Sequence, residues 1–280
     1  MNYLTRIKSF LRASRGNGTE PPPLRPHVRP GLSFRPSFAD LHVARAMLQT
    51  KLPTELVLHI LEFAQYWPCQ VFTMERECQV YASSWSSFGK ICFDVEVLPE
   101  SGLRSFREEN VKVKAVEFHI TSYEHGWTQG PYSTSSWLEV SILRKENPRA
   151  QSLPDQSTVS RPLISNSQPL QELFQDPQDD GHGWIVVERP ALAAHYPQAD
   201  EDARAWYLQG NKVADRRPRT HTVLWSVFSD ECKGNEGAGS GQGFLDELRA
   251  GDRLVVWARA KWAGWTCYVS ELEITISYGV

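Results

Sequence analysis

From Val71 onward, apolar and polar side chains of this chain alternate with a period of two. The clearest case lies near the C-terminus, where Leu272, Ile274, Ile276 and Tyr278 alternate with Glu271, Glu273, Thr275 and Ser277. That pattern predicts a strand with one buried and one wet face. Lys90–Leu98, Val111–Ser122, Trp137–Arg144, Trp184–Glu188, Thr220–Phe228 and Leu254–Trp262 read the same way. Within Val111–Ser122 the phase slips, because Val111, Val113 and Ala115 give way to Val116, Phe118 and Ile120. A bulge near Ala115 accounts for that, and so does burial of both faces. Seven or more strands between Gly-, Pro- and Ser-rich turns predict a mainly β fold, an antiparallel, jelly-roll-like sandwich over residues 71–280. Two polar stretches, 145–180 and 229–243, read as long surface loops. The second is Gly-rich but lacks the Gly-Lys-Ser/Thr ending of a phosphate loop.

The period changes to that of a helix only in residues 39–70. Asp40 is expected to cap a short helix carrying Leu41, Ala44, Met47 and Leu48. A second helix follows, opened by Pro53 in the position where a missing N–H goes unnoticed. Leu52, Leu56, Ile60 and Ala64 repeat every four residues along it, and Val57 and Leu61 widen the stripe. Residues 1–38 carry seven Arg or Lys against Glu20 alone, a balance of +6, with Pro21–Pro23 and three Arg-Pro pairs. Too little apolar area is available to offset ordering, so the stretch is expected to be a disordered basic arm. Its first twelve residues place Tyr3, Leu4, Ile7, Phe10 and Leu11 at helical spacing, with Arg6, Lys8 and Arg12 between. That pattern suits a frayed helix, or else a mitochondrial presequence or membrane-surface helix.

Composition narrows the function classes. No run of about 18 apolar residues exists, so no membrane span is expected. A net charge of −3 gives no general electrostatic case for nucleic acid. Five Cys, at 69, 78, 92, 232 and 267, contain no CxxC pair. The scattered odd set suggests a reducing compartment, cytoplasmic or nuclear, rather than a disulfide framework. No HExxH, GxSxG or Cys-His signature is present, so neither an enzyme nor a cofactor is expected. His119 and His125 are a weak metal candidate across a strand end, His221 lies in a strand, and no metal site is expected. Asp94, Glu96 and Glu117 lie in strands and read as the wet face of a sheet.

Ten Trp are present, and most fall in strands or their turns. Trp257, Arg259 and Lys261 share one strand face, where a cation can stack on indole. Trp127, Trp262 and Trp265 lie beside Gly-containing turns. With His125, and with Glu124 or Gln129 as polar partners, they form a candidate platform for a sugar ring.

Leu52-Pro53-x-Glu55-Leu56-x-x-x-Ile60-Leu61 resembles the first helix of an F-box. The resemblance covers about 14 residues. It implies that Leu52, Pro53, Leu56, Ile60 and Leu61 dock on a Skp-type adaptor of a ubiquitin ligase. A full F-box continues through two more helices, whereas here Pro68 and strand-like sequence follow. Ser122–Trp127, Ser136–Val140, Arg219–Trp225, Leu248–Ala260 and Gly264-Trp265 resemble a group of filamentous-fungal proteins in which an F-box-like helix precedes an all-β domain. Trp262-Ala263-Gly264-Trp265 before the last strand is also similar to the F-box-associated sugar-binding sandwich. These resemblances imply a substrate receptor whose sandwich reads a protein or glycan. The alternative is a stand-alone ligand- or carbohydrate-binding sandwich with no ubiquitin-ligase role.

Overall fold

The computed structural model describes residues 35–83, 87–98, 111–125, 134–145, 163–164, 184–193, 198, 203–212 and 216–279. Residues 1–34, Trp127 and nearly all of 145–180 lie outside them. Two antiparallel sheets enclose one core, as the alternation predicted. The first, sheet A, contains β1 (Cys69–Thr73), β2 (Cys78–Tyr81), β4 (Lys112–His125), β9 (Arg219–Ser226), β10 (Ser229–Gly234) and β12 (Thr266–Gly279). Its order is β1-β12-β4-β9-β10, and β2 shares β12's outer edge with β1. Sheet B runs β6 (Leu163–Ile164), β3 (Ser87–Glu96), β11 (Arg253–Lys261), β5 (Ser136–Lys145), and both β7 (Trp184–Val186) and β8 (Trp206–Gly210) pair with β5.

The phase slip in β4 is a bulge. Ser277 pairs with Ala115 and Tyr278 with Val113, so Lys114 is unpaired. Val113 and Val116 thereby both face the core, although three residues apart. A second irregularity at Ser270 does the same for β12, where Cys267 and Val269 point inward before it and Leu272, Ile274, Ile276 and Tyr278 after it. The bulges re-aim the alternation without ending the strand.

Two helices pack at one end of the sandwich. In α1 (Phe38–Gln49), Ser37 rather than Asp40 is the N-cap. Asp40 is the third helical residue of a capping box, with its N–H donating to Ser37 Oγ (3.2 Å) and its carboxylate accepting from the Ser37 N–H (2.8 Å). The Ser37 N–H and the Ser37 hydroxyl (2.7 Å), both donating to this carboxylate, hold Asp40 below the usual carboxylate value. Residues 35–38 of the expected basic arm are tied to the fold: Arg35 pairs with Glu273 (3.3 Å), and Pro36 accepts a bond from the Cys69 N–H. In α2 (Thr54–Phe63), Pro53 is the cap just outside the first turn, and Val57 and Leu61 bury against Leu41 of α1. Glu62 accepts from Lys114 (2.7 Å) and from the Trp67 indole (3.1 Å), tying α2 to sheet A.

The Gly-rich stretch differs from the expected loop. It opens with strand β10, then runs beside β8: Gly239 N–H donates to the Leu208 carbonyl and Gly210 N–H to Gly237. A side chain at Gly241, whose φ is +64°, would collide with the Trp225 ring. The glycines let backbone pass close to aromatic rings at the edge where the sheets meet, before the short helix α3 (Phe244–Glu247). Likewise, Leu163–Ile164 inside the expected 145–180 loop pair with Phe88 and Gly89.

Candidate functional site

Strand register decides which side chains share a face, and partners directly opposite point the same way. On the outer face of sheet A, β2, β12 and β4 align two rows. Tyr81, Thr266 and His125 form one, and Gln79, Tyr268 and Tyr123 form the next. The Tyr123 and Tyr268 rings are stacked, with centroids 4.6 Å apart and planes within 3°. Gln79 Nε2 donates to the Tyr268 hydroxyl (3.0 Å). Tyr81 is 55% exposed, and His125 is also exposed. Further along, Thr121 donates to Glu271 (2.9 Å) and Thr222 lies 3.1 Å from His119 Nδ1. The face therefore offers a solvated ring, two locked phenols and a row of hydrogen-bonding groups.

The residues expected to form the sugar platform fall differently. His125 is in this patch. Trp265 is buried in the core and presents no face to solvent. Trp262 is 39% exposed and sits in the turn between the sheets with a φ of +75°, a strained value for a bulky residue. Lys261 Nζ lies 5.2 Å from its ring centroid. The turn is tied to β2's end, since Gly264 N–H donates to Ala82 and Ala82 N–H to Trp265. Glu124 points between the sheets and is wholly buried. Gln79, Tyr81, Tyr123 and Tyr268 were missed: each alternates ordinarily along its own strand, and only pairing across three strands brings them together.

The other expected chemistry is dispersed. His119 and His125 lie on one strand, six residues and roughly 20 Å apart, and His221 faces inward. Among the described residues, no three His, Cys, Asp or Glu side chains group to hold a metal. Asp94 and Glu96 are on β3 of sheet B and Glu117 on β4 of sheet A, so the three do not face one another. Asp94 pairs with Arg253.

Trp257 and Arg259 do share the outer face of sheet B, and Arg259 there meets a carboxylate. Its Nε lies 2.6 Å from Glu139 Oε1. Glu139 Oε2 also accepts from the Trp137 indole (3.0 Å) and from Gln198 (2.7 Å). Burial, and then the Glu139 charge, push the Tyr207 hydroxyl above its ordinary pKa. Gly89 leaves room for the guanidinium on β3.

Of the expected docking residues, Leu56 and Ile60 point to solvent at 51% and 43% exposure. Pro53 is exposed and Leu52 half-buried. Leu61 is buried against α1, so it cannot belong to a docking face. Phe63, 93% exposed, continues the outward stripe instead.

The chain is thus an antiparallel β-sandwich with a helical hairpin at one end and an aromatic, polar patch on one sheet. No protein-family model matches the sequence, and no curated protein does. Among solved structures it is similar to the Emp46p carbohydrate recognition domain, at 9% identity and a TM-score of 0.31, over 76% of this chain and 89% of that one. Winged bean acidic lectin, complexed with methyl-α-D-galactose, matches at 7% identity and a TM-score of 0.29, over 76% of this chain and all of the lectin. Among the described residues, no helix is long and apolar enough to cross a membrane.

Proposed function

We propose that the protein is a non-enzymatic binding protein whose sandwich holds a glycan on the outer face of sheet A. The observation that carries this reading is the in-register patch of Tyr81, His125, Tyr123, Tyr268 and Gln79. A sugar ring has apolar C–H faces that stack on an aromatic ring and hydroxyls that need polar partners. Tyr81 supplies the open ring, while the phenols, Gln79 and His125 supply donors and acceptors. The stacked tyrosines are held before any ligand arrives, which lowers the ordering cost of binding. Screening the full chain on a glycan array, followed by calorimetric titration of each hit, tests the reading. Tyr81→Ala should weaken binding about tenfold, the equivalent of ~1.4 kcal/mol, and leave Tm unchanged because the side chain is solvated. No retained glycan, or wild-type affinity in Tyr81→Ala, sinks it.

A second reading is favoured by the exposed stripe Leu56–Ile60–Phe63, spaced i, i+4, i+7 on α2. With the F-box-like Leu52-Pro53-x-Glu55-Leu56 at its head, its proposed occupant is a Skp-type adaptor, which would make the protein a substrate receptor of a ubiquitin ligase.

A further inference from the structure

Three cysteines, Cys78, Cys92 and Cys267, share the core between the sheets, and all are free thiols. Cys78 lies on β2 of sheet A and Cys92 on β3 of sheet B. Cys78 Sγ reaches to 3.9 Å from the carbonyl oxygen of Ile91, the residue just before Cys92. Cys92 Sγ lies 3.9 Å from the Lys90 carbonyl oxygen, and both sulfurs point into the same core, one from each sheet. We propose that Cys78 and Cys92 are a redox pair that a hydroperoxide converts into a disulfide joining the two sheets.

The roles within the pair are unequal. The neighbouring Cys92 thiol, aided by Lys90 and opposed by burial, holds Cys78 below the ordinary thiol value. Burial, reinforced by the Cys78 sulfur, drives Cys92 well above it. Cys78 is therefore the nucleophile. Its thiolate attacks the peroxide O–O bond, becomes a sulfenic acid and expels hydroxide, which the proton given up by the thiol converts to water. Cys92 then attacks the Cys78 sulfur, its thiol proton joins the departing hydroxide, and a second water leaves. Two thiols lose two electrons, and one hydrogen peroxide is reduced to two waters. Cys267 is held out of this chemistry. Its sulfur accepts from Asn211 Nδ2 (3.3 Å), and burial pushes its thiol up to about 12. Strand β2 has four residues and, among the described residues, pairs with β12 alone, so its local opening admits a small oxidant more readily than a central strand would.

The test uses the full chain, reduced, desalted and treated with hydrogen peroxide. Remaining thiols are alkylated after unfolding, and the peptides are mapped by mass spectrometry. The expected product is one species joining the Cys78 and Cys92 peptides, lighter by two hydrogens, unalkylated and reversed by dithiothreitol, with a higher Tm than the reduced chain. Cys92→Ser should stop at a Cys78 sulfenic acid that dimedone captures. Alkylation of both cysteines after peroxide, or a crosslink joining either to Cys267, overturns the proposal. The wild-type peptide map decides this even where the variant does not fold.

Discussion

Glu139 shows how one side chain holds a face together. It is almost fully buried on sheet B, away from the main core, and binds Arg259, Trp137 and Gln198 at once. A buried carboxylate is tolerable only when paired and hydrogen-bonded. Removing it leaves Arg259, itself buried, without its counter-charge. Glu139→Ala should therefore cost about 3–5 kcal/mol in urea unfolding, whereas Glu139→Leu combined with Arg259→Met should recover most of the loss. A single variant within about 0.5 kcal/mol of wild type would show that water reaches this network. None of it was legible as a site. Trp137 and Glu139 read as neighbours on one strand face, but Gln198 comes from far along the chain and Arg259 from another strand.

At the level of elements, α2 has three differently used flanks. Val57 and Leu61 face α1, Glu62 faces Lys114 and Trp67, and Leu56, Ile60 and Phe63 face solvent. Leu56→Asp with Ile60→Asp should fold with a Tm close to wild type, because the charges enter water. The same variant should lose a Skp-type adaptor in a pull-down, since two apolar side chains contribute about 3–6 kcal/mol of gross burial energy. Retained adaptor binding, or a purified adaptor that binds neither form, would remove the receptor reading. Unfolding would mean that the stripe is buried. Helical spacing showed Leu56 and Ile60 on one stripe but left out Phe63, which extends it. It did not show which flank meets α1, because 3.6 periodicity is equally satisfied by an apolar stripe facing a helix, a sheet or a partner.

At the scale of the whole molecule, acid sensitivity is expected to centre on a histidine buried between the sheets. His221 faces inward on β9, and neither ring nitrogen has a hydrogen-bond partner among the described residues. Burial first, and then the Arg219 charge, hold its pKa below the ordinary 6.5. The folded chain therefore resists the proton that the unfolded chain accepts. Stability should be flat above about pH 7 and should fall as pH drops below 6.5, levelling off once the folded state is also protonated. Melting curves from pH 5 to 8 check this, with His221→Phe as the comparison. If that variant keeps the same acid slope, another group is responsible.

The β-sandwich, seven of its strands and even the β4 bulge were readable from local alternation, because a half-buried strand must place apolar side chains on every second position. The helical hairpin was readable for the same reason at its own period. Short edge strands such as β1, β2 and β8 were not, since four or five residues carry too little pattern to stand out from a loop. Tertiary structure alone decided the candidate sites. The Tyr123–Tyr268 stack, the approach of Cys78 to the Ile91 carbonyl beside Cys92 and the Glu139–Arg259 pair each join residues about 13 to 145 positions apart. Such contacts depend on strand register and on how two sheets face each other. A one-residue slip in that register would send every one of those side chains to the opposite face.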